Sequence, residues 1–557
     1  MDVSRARYHH PTAWDISFEP LTLPEMLARA TARRGDARFL HFLGRDYSYR
    51  AIHQEARCFA AGLVANGMQP GDRIGLFLPN VPIYASAYYG AMMAGAVVVN
   101  FSPLYTVGEL SHQVADSGTR LLVTLDVPEL YGTAREVLDA SELETLVVGS
   151  LADMLPWHKG LALKTFARSK IASVEYSNNV RRWSEVAAKG GKLSREIAIA
   201  PDDVALLQYT GGTTGRPKGA MLTHANLAIN AQQVAAINPF DKPQDEVFMG
   251  ALPFFHVFAN TALLNHAVAS GAAIAMVPRF ESGQVLATIA ARKATGFPGV
   301  PTMFQALLDH PKLSSTDFSS LKVCISGGAP MPAPVHARFE EVTGVRLVEG
   351  YGLTESSGVV SVNPYEGMRK RGTIGQVVPG TEVILLDKED HTRLAPEGEP
   401  GELAVCGPQV MRGYWNQPEA SAEVLIERGG KIWLRTGDVA VIDEDGFLKI
   451  VDRIKDMIAV GGFKVFPSQV EEVILEHPAV KEALVIGVPD EYRGEMPRAY
   501  VVPEPGAQTD AGELRDWLNA RLGKHERVDQ VVLREALPKT IIGKLDRKAL
   551  RSEVFEG

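Results

Sequence analysis

The chain has 557 residues, with 57 Lys and Arg against 66 Asp and Glu, a formal charge of −9 at pH 7. At about 100–200 residues per domain, that length holds three or so units whose core needs neither metal nor disulfide staples. Hydrophobic residues at 46% and charged residues at 22% exclude intrinsic disorder and fibrous scaffolds, and the acidic balance offers nucleic acid no general attraction. Only Cys58, Cys324 and Cys406 occur, so no disulfide framework is expected and a reducing, cytoplasmic compartment is. The opening residues MDVSRARYHHPTAWD lack the apolar core of a signal peptide.

From residue 50 the pattern alternates: an amphipathic helix at Ala51–Asn66, a strand at Arg73–Leu78, a small-residue helix, the strand AVVVN, a helix from Thr106 and the strand RLLVTL. The alternation recurs from 204 to 350, with VALLQYT, a glycine loop, a helix from His224, VFMGALP, a helix through Ala262–Ala269, AAIAMVP, GFPGVP, VCISGGA and VRLVEGYG. Such spacing predicts two parallel sheets covered by helices, facing each other across a cleft at the strand carboxyl ends. The apolar stretches 83–99 and 259–278 are broken by glycine and read as helix, turn and buried strand rather than as membrane spans. Residues 370–450, rich in Gly and Pro with short strands, predict a β-rich subdomain, and the last ~100 residues a small mobile α+β unit. The resulting division is 1–451, a hinge at 452–456 in the charged run DRIKD, and 457–557.

Residues 157–182 carry Lys159, Lys164, Arg168, Lys170, Arg181 and Arg182 against the single acid Glu175, interleaved with Trp157, Leu161, Leu163 and Phe166. A solvated surface insertion accounts for such a run. The sharper alternative is a basic patch touching anionic lipid, a peripheral contact with the inner face of a membrane.

Four motifs carry chemistry. Tyr209-Thr-Gly-Gly-Thr-Thr-Gly-Arg-Pro-Lys-Gly219 follows an apolar strand and precedes a helix; its glycines free backbone N–H groups, its threonines add hydroxyls and Lys218 a cation, the parts a polyphosphate needs. It is not a Walker A loop, because Lys218 precedes Gly219 rather than Ser or Thr. In Glu349-Gly-Tyr-Gly-Leu-Thr-Glu355, glycines at 350 and 352 leave room for a flat ring, Tyr351 can stack on it, and Glu355 can hold Mg²⁺ between phosphates. Asp438, ending Leu434-Arg-Thr-Gly-Asp438, can accept two ribose hydroxyls, and Leu537-Pro-Lys-Thr-Ile-Ile-Gly-Lys544 presents an exposed, mobile cation.

Together, in this order and with 452–456, these motifs resemble those of the acyl-adenylate-forming superfamily of acyl-CoA synthetases, luciferases and peptide-synthetase adenylation domains, over about residues 20 to 552. Thr210-Gly-Gly212, Leu252-Pro-Phe-Phe-His256 and Asp452-Arg-Ile-Lys-Asp-Met-Ile458 resemble the long- and medium-chain fatty-acyl-CoA synthetase branch. The resemblance implies two steps: a carboxylate and ATP give acyl-AMP and pyrophosphate, then the thiol of coenzyme A takes the acyl group and releases AMP. It implies that Thr210, Gly211, Gly212, Thr213, Thr214, Gly215 and Lys218 hold the β/γ-phosphates, Thr354 the α-phosphate, and Glu355 with Thr214 the Mg²⁺. Gly328, Ala329 and Pro330 with Glu349, Gly350, Tyr351 and Gly352 would line the adenine site, and Asp438 and Arg453 would grip the ribose. Lys544 would serve the first step alone, Lys455 would be the hinge, and Gly461, Gly462 and Lys464 would meet coenzyme A after rotation. His256 would gate the acyl or pantetheine channel; outside the resemblance it reads as a core histidine.

The small residues Gly299, Ser326, Gly327, Gly328 and Ala329 suggest an acyl tunnel left open, for an aliphatic chain of medium or long length. A dicarboxylic or aromatic acid, a separate carrier protein in place of coenzyme A, a luciferase-like oxygenase and an inactive nucleotide sensor are the competing readings. The chain's end 13 residues after Lys544 leaves no room for a fused carrier. Acetylation of Lys544 by a lysine acetyltransferase would remove the charge the first step requires. Monomer and homodimer both remain open.

Overall fold

Apolar runs of five to seven residues, punctuated by glycine or charge, become the strands of two large sheets. The computed structural model describes residues 8–188, 197–210, 217–461, 463–540 and 544–556. The first sheet has eight strands; Val204–Thr210, Val97–Phe101, Arg73–Phe77, Thr119–Leu125, Thr145–Gly149 and Val180–Arg182 run parallel in spatial order. The second has nine, with Arg346–Tyr351, Val323–Gly327, Gly296–Gly299, Val247–Gly250, Ala273–Met276 and Arg38–Phe42 parallel. The two α/β blocks read from the alternation are therefore present. The N-terminal hairpin of Arg38–Phe42 and Arg45–Ser48 extends the second sheet, a long-range pairing that local alternation does not encode.

One detail differs from expectation and matters for the site. The glycine-rich run does not open a helix: Lys218–Thr223 is a strand, antiparallel to Val204–Thr210, and the helix His224–Ala236 begins only after it, capped by Thr223. Pairing of Lys218 opposite Thr210 brings the two ends of the run together. Gly413–Tyr414 adds a further antiparallel edge to Lys218–Thr223.

The helix Pro82–Met93 is buried on every side, which explains its apolar composition without a membrane. Its tyrosines join the two sheets: the Tyr84 hydroxyl lies 2.8 Å from Asn100 Oδ1 and 2.9 Å from the Phe254 carbonyl, with its one proton for either, and that of Tyr88 donates to Asn260 Oδ1 at 3.0 Å. The predicted helix at 262–269 is one segment from Val257 to Ser270 with a π-helical centre, Asn260–Asn265. Among the described residues no helix is long and apolar enough to cross a membrane.

Glu382–Leu386, Gly401–Cys406, Leu425–Arg428, Lys431–Ile442 and Leu448–Arg453 form the β-rich subdomain's sheet. The chain then leaves it through one 3₁₀ turn, Ile454–Asp456, and Ile458–Val460 already belongs to the last sheet, with Phe463–Val465, Val480–Asp490, Gly494–Pro503 and Val531–Leu533. Besides this crossover, the last unit touches the rest mainly through polar contacts: Lys481 with Asp309 at 3.3 Å, Lys449 with Glu472 at 3.6 Å, and the Ser468 N–H on Asp452 at 2.8 Å.

Two glycines give opposed expectations for stability. A Cβ on Gly62, in the helix Tyr49–Ala65, would stand 1.9 Å from the Val186 carbonyl oxygen, whereas a Cβ on Gly132, in Pro128–Ala140, meets nothing within 4 Å. Gly62→Ala should destabilise by about 1–3 kcal/mol, and Gly132→Ala should stabilise by about 0.5–1 kcal/mol. Thermal unfolding followed by circular dichroism checks both; equal shifts would contradict this packing.

Candidate functional site

Motifs far apart in sequence meet at the carboxyl ends of the two sheets. Thr210 ends its strand half-buried, and Lys218 begins the next with its ammonium 5.2 Å above the ring of Tyr414. The Tyr414 hydroxyl donates to Glu355 Oε1 at 2.7 Å. Burial, and then the charge of Glu355, push the Tyr414 phenol far up, so it stays a donor. The chain at Met411 also donates its N–H to the Glu355 carbonyl at 2.8 Å. Thr354 and Glu355 lie in the 3₁₀ turn Thr354–Ser356. Tyr414 was not singled out in the sequence; the run Gly413-Tyr-Trp415, aromatic inside a Gly/Pro-rich stretch, was the available signal. Gly211, Gly212, Thr213, Thr214 and Gly215 lie outside the described residues, as does Gly462.

A second cluster forms around Asp438, which is 4% exposed and pairs in register with Arg453 across Lys431–Ile442 and Leu448–Arg453. Arg453 Nε donates to Oδ1 at 3.1 Å and the Tyr351 hydroxyl to Oδ2. Each oxygen keeps a lone pair for a further donor. Arg453, 59% exposed, lies at the solvent side of the pair.

The glycines of 349–355 also serve the chain's own packing. A Cβ on Gly352 would lie 2.1 Å from the Gly358 carbonyl oxygen, and one on Gly350 would be 3.2 Å from that of Ser361. Glu349 is likewise spent internally: its oxygens accept the N–H groups of Met331 and Gly372, each at 3.1 Å, tying the turn after Gly328, Ala329 and Pro330 to a neighbouring loop. Burial pushes its carboxyl up to about 7.

Lys544 supplies the third cluster. The N–H of Thr540 donates to its carbonyl at 2.7 Å, and its own N–H donates to Thr540 Oγ1 at 3.1 Å. The side chain reaches out of the last unit into the large one, where it lines a cavity of about 10 Å³ with Leu252, Pro253, His256, Phe258 and Gly328. Gly328 has φ +84°, and a Cβ there would be 2.5 Å from Lys544 Cε and 2.8 Å from Nζ, so only glycine admits the lysine. The lysine is therefore half-buried rather than exposed. Burial, aided by Arg453 and opposed by Asp438, lowers its ammonium to about 8. Burial and Lys544 hold His256 down at about 3, so the ring is neutral; with Nδ1 accepting from the Phe258 N–H at 3.3 Å, Nε2 carries the proton.

At Gly299 and Gly327, where an open tunnel was expected, the described residues place aromatic rings instead. The Phe258 ring fills the space above Gly327, where a Cβ would be 3.0 Å away, and Phe304 fills that beside Gly299 at 3.1 Å. Small residues here receive aromatic rings, and the remaining cavity has room for about one water. Lys455 is exposed in the crossover turn; Gly461, with φ +57°, is exposed too, and Lys464 meets Glu389 at 3.4 Å on the exterior. The structure does not bring these residues to the other clusters.

Single carboxylates suit Mg²⁺, which keeps waters and substrate phosphates as its other ligands. Among the described residues there is no group of three or more His, Cys, Asp and Glu able to cage a metal. Glu355 fits: one oxygen is fixed by Tyr414, whose ring lies under Lys218, and the other is not spent on a side-chain hydrogen bond among the described residues.

The AMP-binding enzyme family matches residues 27–415, and the family of AMP-binding enzyme C-terminal domains matches 469–544. The chain is 39% identical to a long-chain-fatty-acid–CoA ligase of Bacillus subtilis, over 99% of this chain and 98% of that one. It is 38% identical to a long-chain-fatty-acid–CoA ligase of Escherichia coli, over 96% and 94%. Among solved structures, ATP-bound MatB from Rhodopseudomonas palustris superposes with a TM-score of 0.83 at 29% identity, covering 96% of this chain and 99% of the other.

Glu349 gives a pH test. Its carboxyl rises from 4.5 to about 7 on folding, so the folded chain binds the extra proton between those values and loses stability as pH climbs through that window. Glu349→Gln has no such proton. The stability of the natural chain relative to the variant should therefore fall between about pH 5 and 8. Melting temperatures across that range report it; a constant difference would mean the carboxyl is not raised.

Proposed function

Since the chain belongs to the AMP-binding enzyme family, with relatives named long-chain-fatty-acid–CoA ligases matching nearly its whole length, we propose that it is an ATP-dependent fatty-acid–CoA ligase. The carboxylate of a medium- or long-chain acid attacks the α-phosphorus of ATP, breaking the bond to pyrophosphate and leaving acyl-AMP. The thiol sulfur of coenzyme A then attacks the acyl carbon, AMP departs, and the thiol proton goes to solvent. The observation that carries the reading is the ammonium of Lys544, delivered by one unit into a dry niche of the other beside neutral His256.

The first step brings an anionic carboxylate against an anionic phosphate, and its obstacle is that repulsion together with charge building on the phosphorus oxygens. A cation in a low-dielectric niche acts on that charge far more strongly than one in water. Lys544 would hold the carboxylate and α-phosphate together, Thr354 would donate to the α-phosphate, and Lys218 with Thr210 and the adjoining Thr213 and Thr214 would hold the β/γ-phosphates. Glu355 would hold Mg²⁺, which would neutralise phosphate charge. Asp438 would accept the ribose hydroxyls through its remaining lone pairs, with Arg453 and Tyr351 holding the carboxylate still. Ala329 and Pro330 would border the adenine, and the turn they occupy is the one Glu349 straps in place.

The acyl chain would enter by displacing Phe258, at the start of the helix with the π-helical centre. In the second step Lys544 must withdraw, since it occupies the niche the thiol has to approach. Rotation at Lys455, between units 1–451 and 457–557, would carry it out and bring Gly461, Gly462 and Lys464 to coenzyme A. Exposure of Gly461 and Lys464 supports this role. Acetylation of Lys544 would belong to the rotated arrangement, where Nζ is free of the niche.

Pyrophosphate release from ATP and Mg²⁺ across a ladder of acids from acetate to oleate, with benzoate and adipate, tests the reading. A maximum among long aliphatic acids, with AMP production that requires coenzyme A, is expected; release without that requirement would point to a carrier-loading ligase. Lys544→Ala should lower acyl-AMP formation by about a hundred- to a thousandfold while ATP binding stays within a few-fold. An undiminished rate would remove Lys544 from the step.

The pH profile follows from the lowered ammonium. Lys544 loses its charge as pH rises through about 8 rather than 10.5, so kcat/KM for acyl-AMP formation should decline above about pH 8. The residual rate of Lys544→Ala should lack that limb.

A further inference from the structure

Asp116 belongs to none of the motifs above, yet it holds both ends of the glycine-rich run. It lies half-buried in the last turn of the helix Val107–Ser117, which closes on the left-handed Gly118. The Asp116 carboxylate accepts the hydroxyl of Tyr209, and the Asp116 carbonyl accepts the indole N–H of Trp415 at 3.2 Å. Burial, and then Asp116, push the Tyr209 phenol far up, so it stays a donor. Tyr209 immediately precedes Thr210, and Trp415 follows the Tyr414 that holds Glu355 and lies under Lys218. The two aromatic residues also meet at Gly219, which pairs in register with Tyr209 and accepts the main-chain N–H of Trp415 at 2.8 Å. A Cβ on Gly219 would be 3.3 Å from the Tyr209 ring and 3.6 Å from Trp415 Cβ. Arg73 steadies the helix end, donating to the carbonyls of Ser117 at 2.8 Å and Gly118 at 3.0 Å, with its guanidinium 5.7 Å from the centre of the Trp415 ring.

We propose that Asp116 is a positioning residue for ATP, setting Thr210 and Lys218 through Tyr209 and Trp415 without touching the nucleotide. The inference rests on the ligase reading, which gives Thr210 and Lys218 their phosphates. Neighbouring side chains of a strand point to opposite faces, so the grip on Tyr209 falls on the face turned away from Thr210. A chain segment that must be ordered around a ligand binds it more weakly, and fastening both of its ends to one helix lowers that cost. A carboxylate suits the task, since it only accepts and holds a phenol proton more tightly than a neutral oxygen does. Because Tyr414 and Trp415 are consecutive, the same helix end also fixes the side that carries Glu355.

Calorimetric titration of the full chain with ATP and Mg²⁺, together with pyrophosphate release at varied ATP, is the test. Asp116→Ala and Tyr209→Phe should each raise Kd and KM for ATP about tenfold, while kcat at saturating ATP and KM for coenzyme A stay within about twofold. The double variant should bind ATP no worse than about twofold below either single one, because both changes remove the same bond. Asp116→Asn, whose amide oxygen still accepts from Tyr209, should recover ATP binding to within about threefold of the natural chain. A merely structural role would lower the melting temperature and kcat while leaving KM for ATP in place. That pattern, or losses that multiply in the double variant, would overturn the proposal. Where Asp116→Ala folds poorly, Tyr209→Phe and Asp116→Asn decide. A natural chain that binds no ATP would overturn the ligase reading together with this inference; ATP binding indifferent to Asp116 and Tyr209 would overturn this inference alone.

Discussion

An ammonium drawn from one unit into an apolar niche of another is the constraint on which the site turns. Lys544 reaches the niche only because Gly328 lacks a side chain and takes a left-handed conformation, and it stays charged near neutrality only because the opposing carboxylate of Asp438 offsets part of its burial. The surroundings conform to that cation: His256 is held neutral by burial and by Lys544 itself, and so presents an N–H without adding a second charge. A niche with room for about one water leaves the charge unscreened, which makes it effective against an incoming anion and costly without one. Burial outweighs the carboxylate of Asp438 and holds the free ammonium down at about 8, and a polyphosphate and a carboxylate would add opposite charge.

Much of the remaining polar structure keeps that niche in shape. Glu349 fixes the turn carrying Gly328 by accepting the N–H groups of Met331 and Gly372, although its own carboxyl is pushed up by the burial this entails. Tyr351 and Arg453 hold both oxygens of Asp438, and Tyr414 holds Glu355 while its ring lies under Lys218. Each acidic group proposed to touch substrate is thus gripped by a neighbour that leaves one lone pair free. Such grips limit how far a carboxylate can rearrange, so binding energy is not dissipated in ordering it.

The parallel α/β blocks, the β-rich subdomain and the small last unit were legible because alternating apolar runs and helix periods are local signals. Thr210, Lys218, Glu355, Asp438 and Lys544 stand in motifs whose residue types suit phosphate, metal and ribose, and the fold brings those motifs to the carboxyl ends of the sheets and the domain boundary. What failed was inference about empty space. Gly327 and Gly299 read as an open tunnel, but glycine in a sequence marks close approach without saying what approaches, and here it is the rings of Phe258 and Phe304. At Gly350 and Gly352, too, what approaches includes the chain itself, a strand and the Gly358 carbonyl. Tyr414 was missed because its role depends on a two-residue edge strand, too short to have a period. The strand Lys218–Thr223 was missed because its pairing partner lies across the glycine run rather than within it.

The path from the crossover turn to Lys544 is short and rigid. Arg547, three residues beyond the lysine, donates to Asp456 at 2.8 Å, to Glu471 at 2.7 Å and to the Val485 carbonyl at 3.0 Å. Asp456 ends the crossover turn, and Glu471 lies in the helix Pro467–Ile474, so one guanidinium clamps the lysine's segment, the first helix of the last unit and the point where the chain enters it. The large unit, by contrast, is met through exposed pairs such as Lys481 with Asp309 and Lys464 with Glu389, each worth little in water. Contacts strong within the unit and weak across the boundary are those of a body that would move whole. A rotation about Lys455 would therefore withdraw Lys544 without loosening it, and the resistance to that rotation would lie in the lysine's own niche, filled when phosphate and carboxylate are present and relieved once pyrophosphate has left.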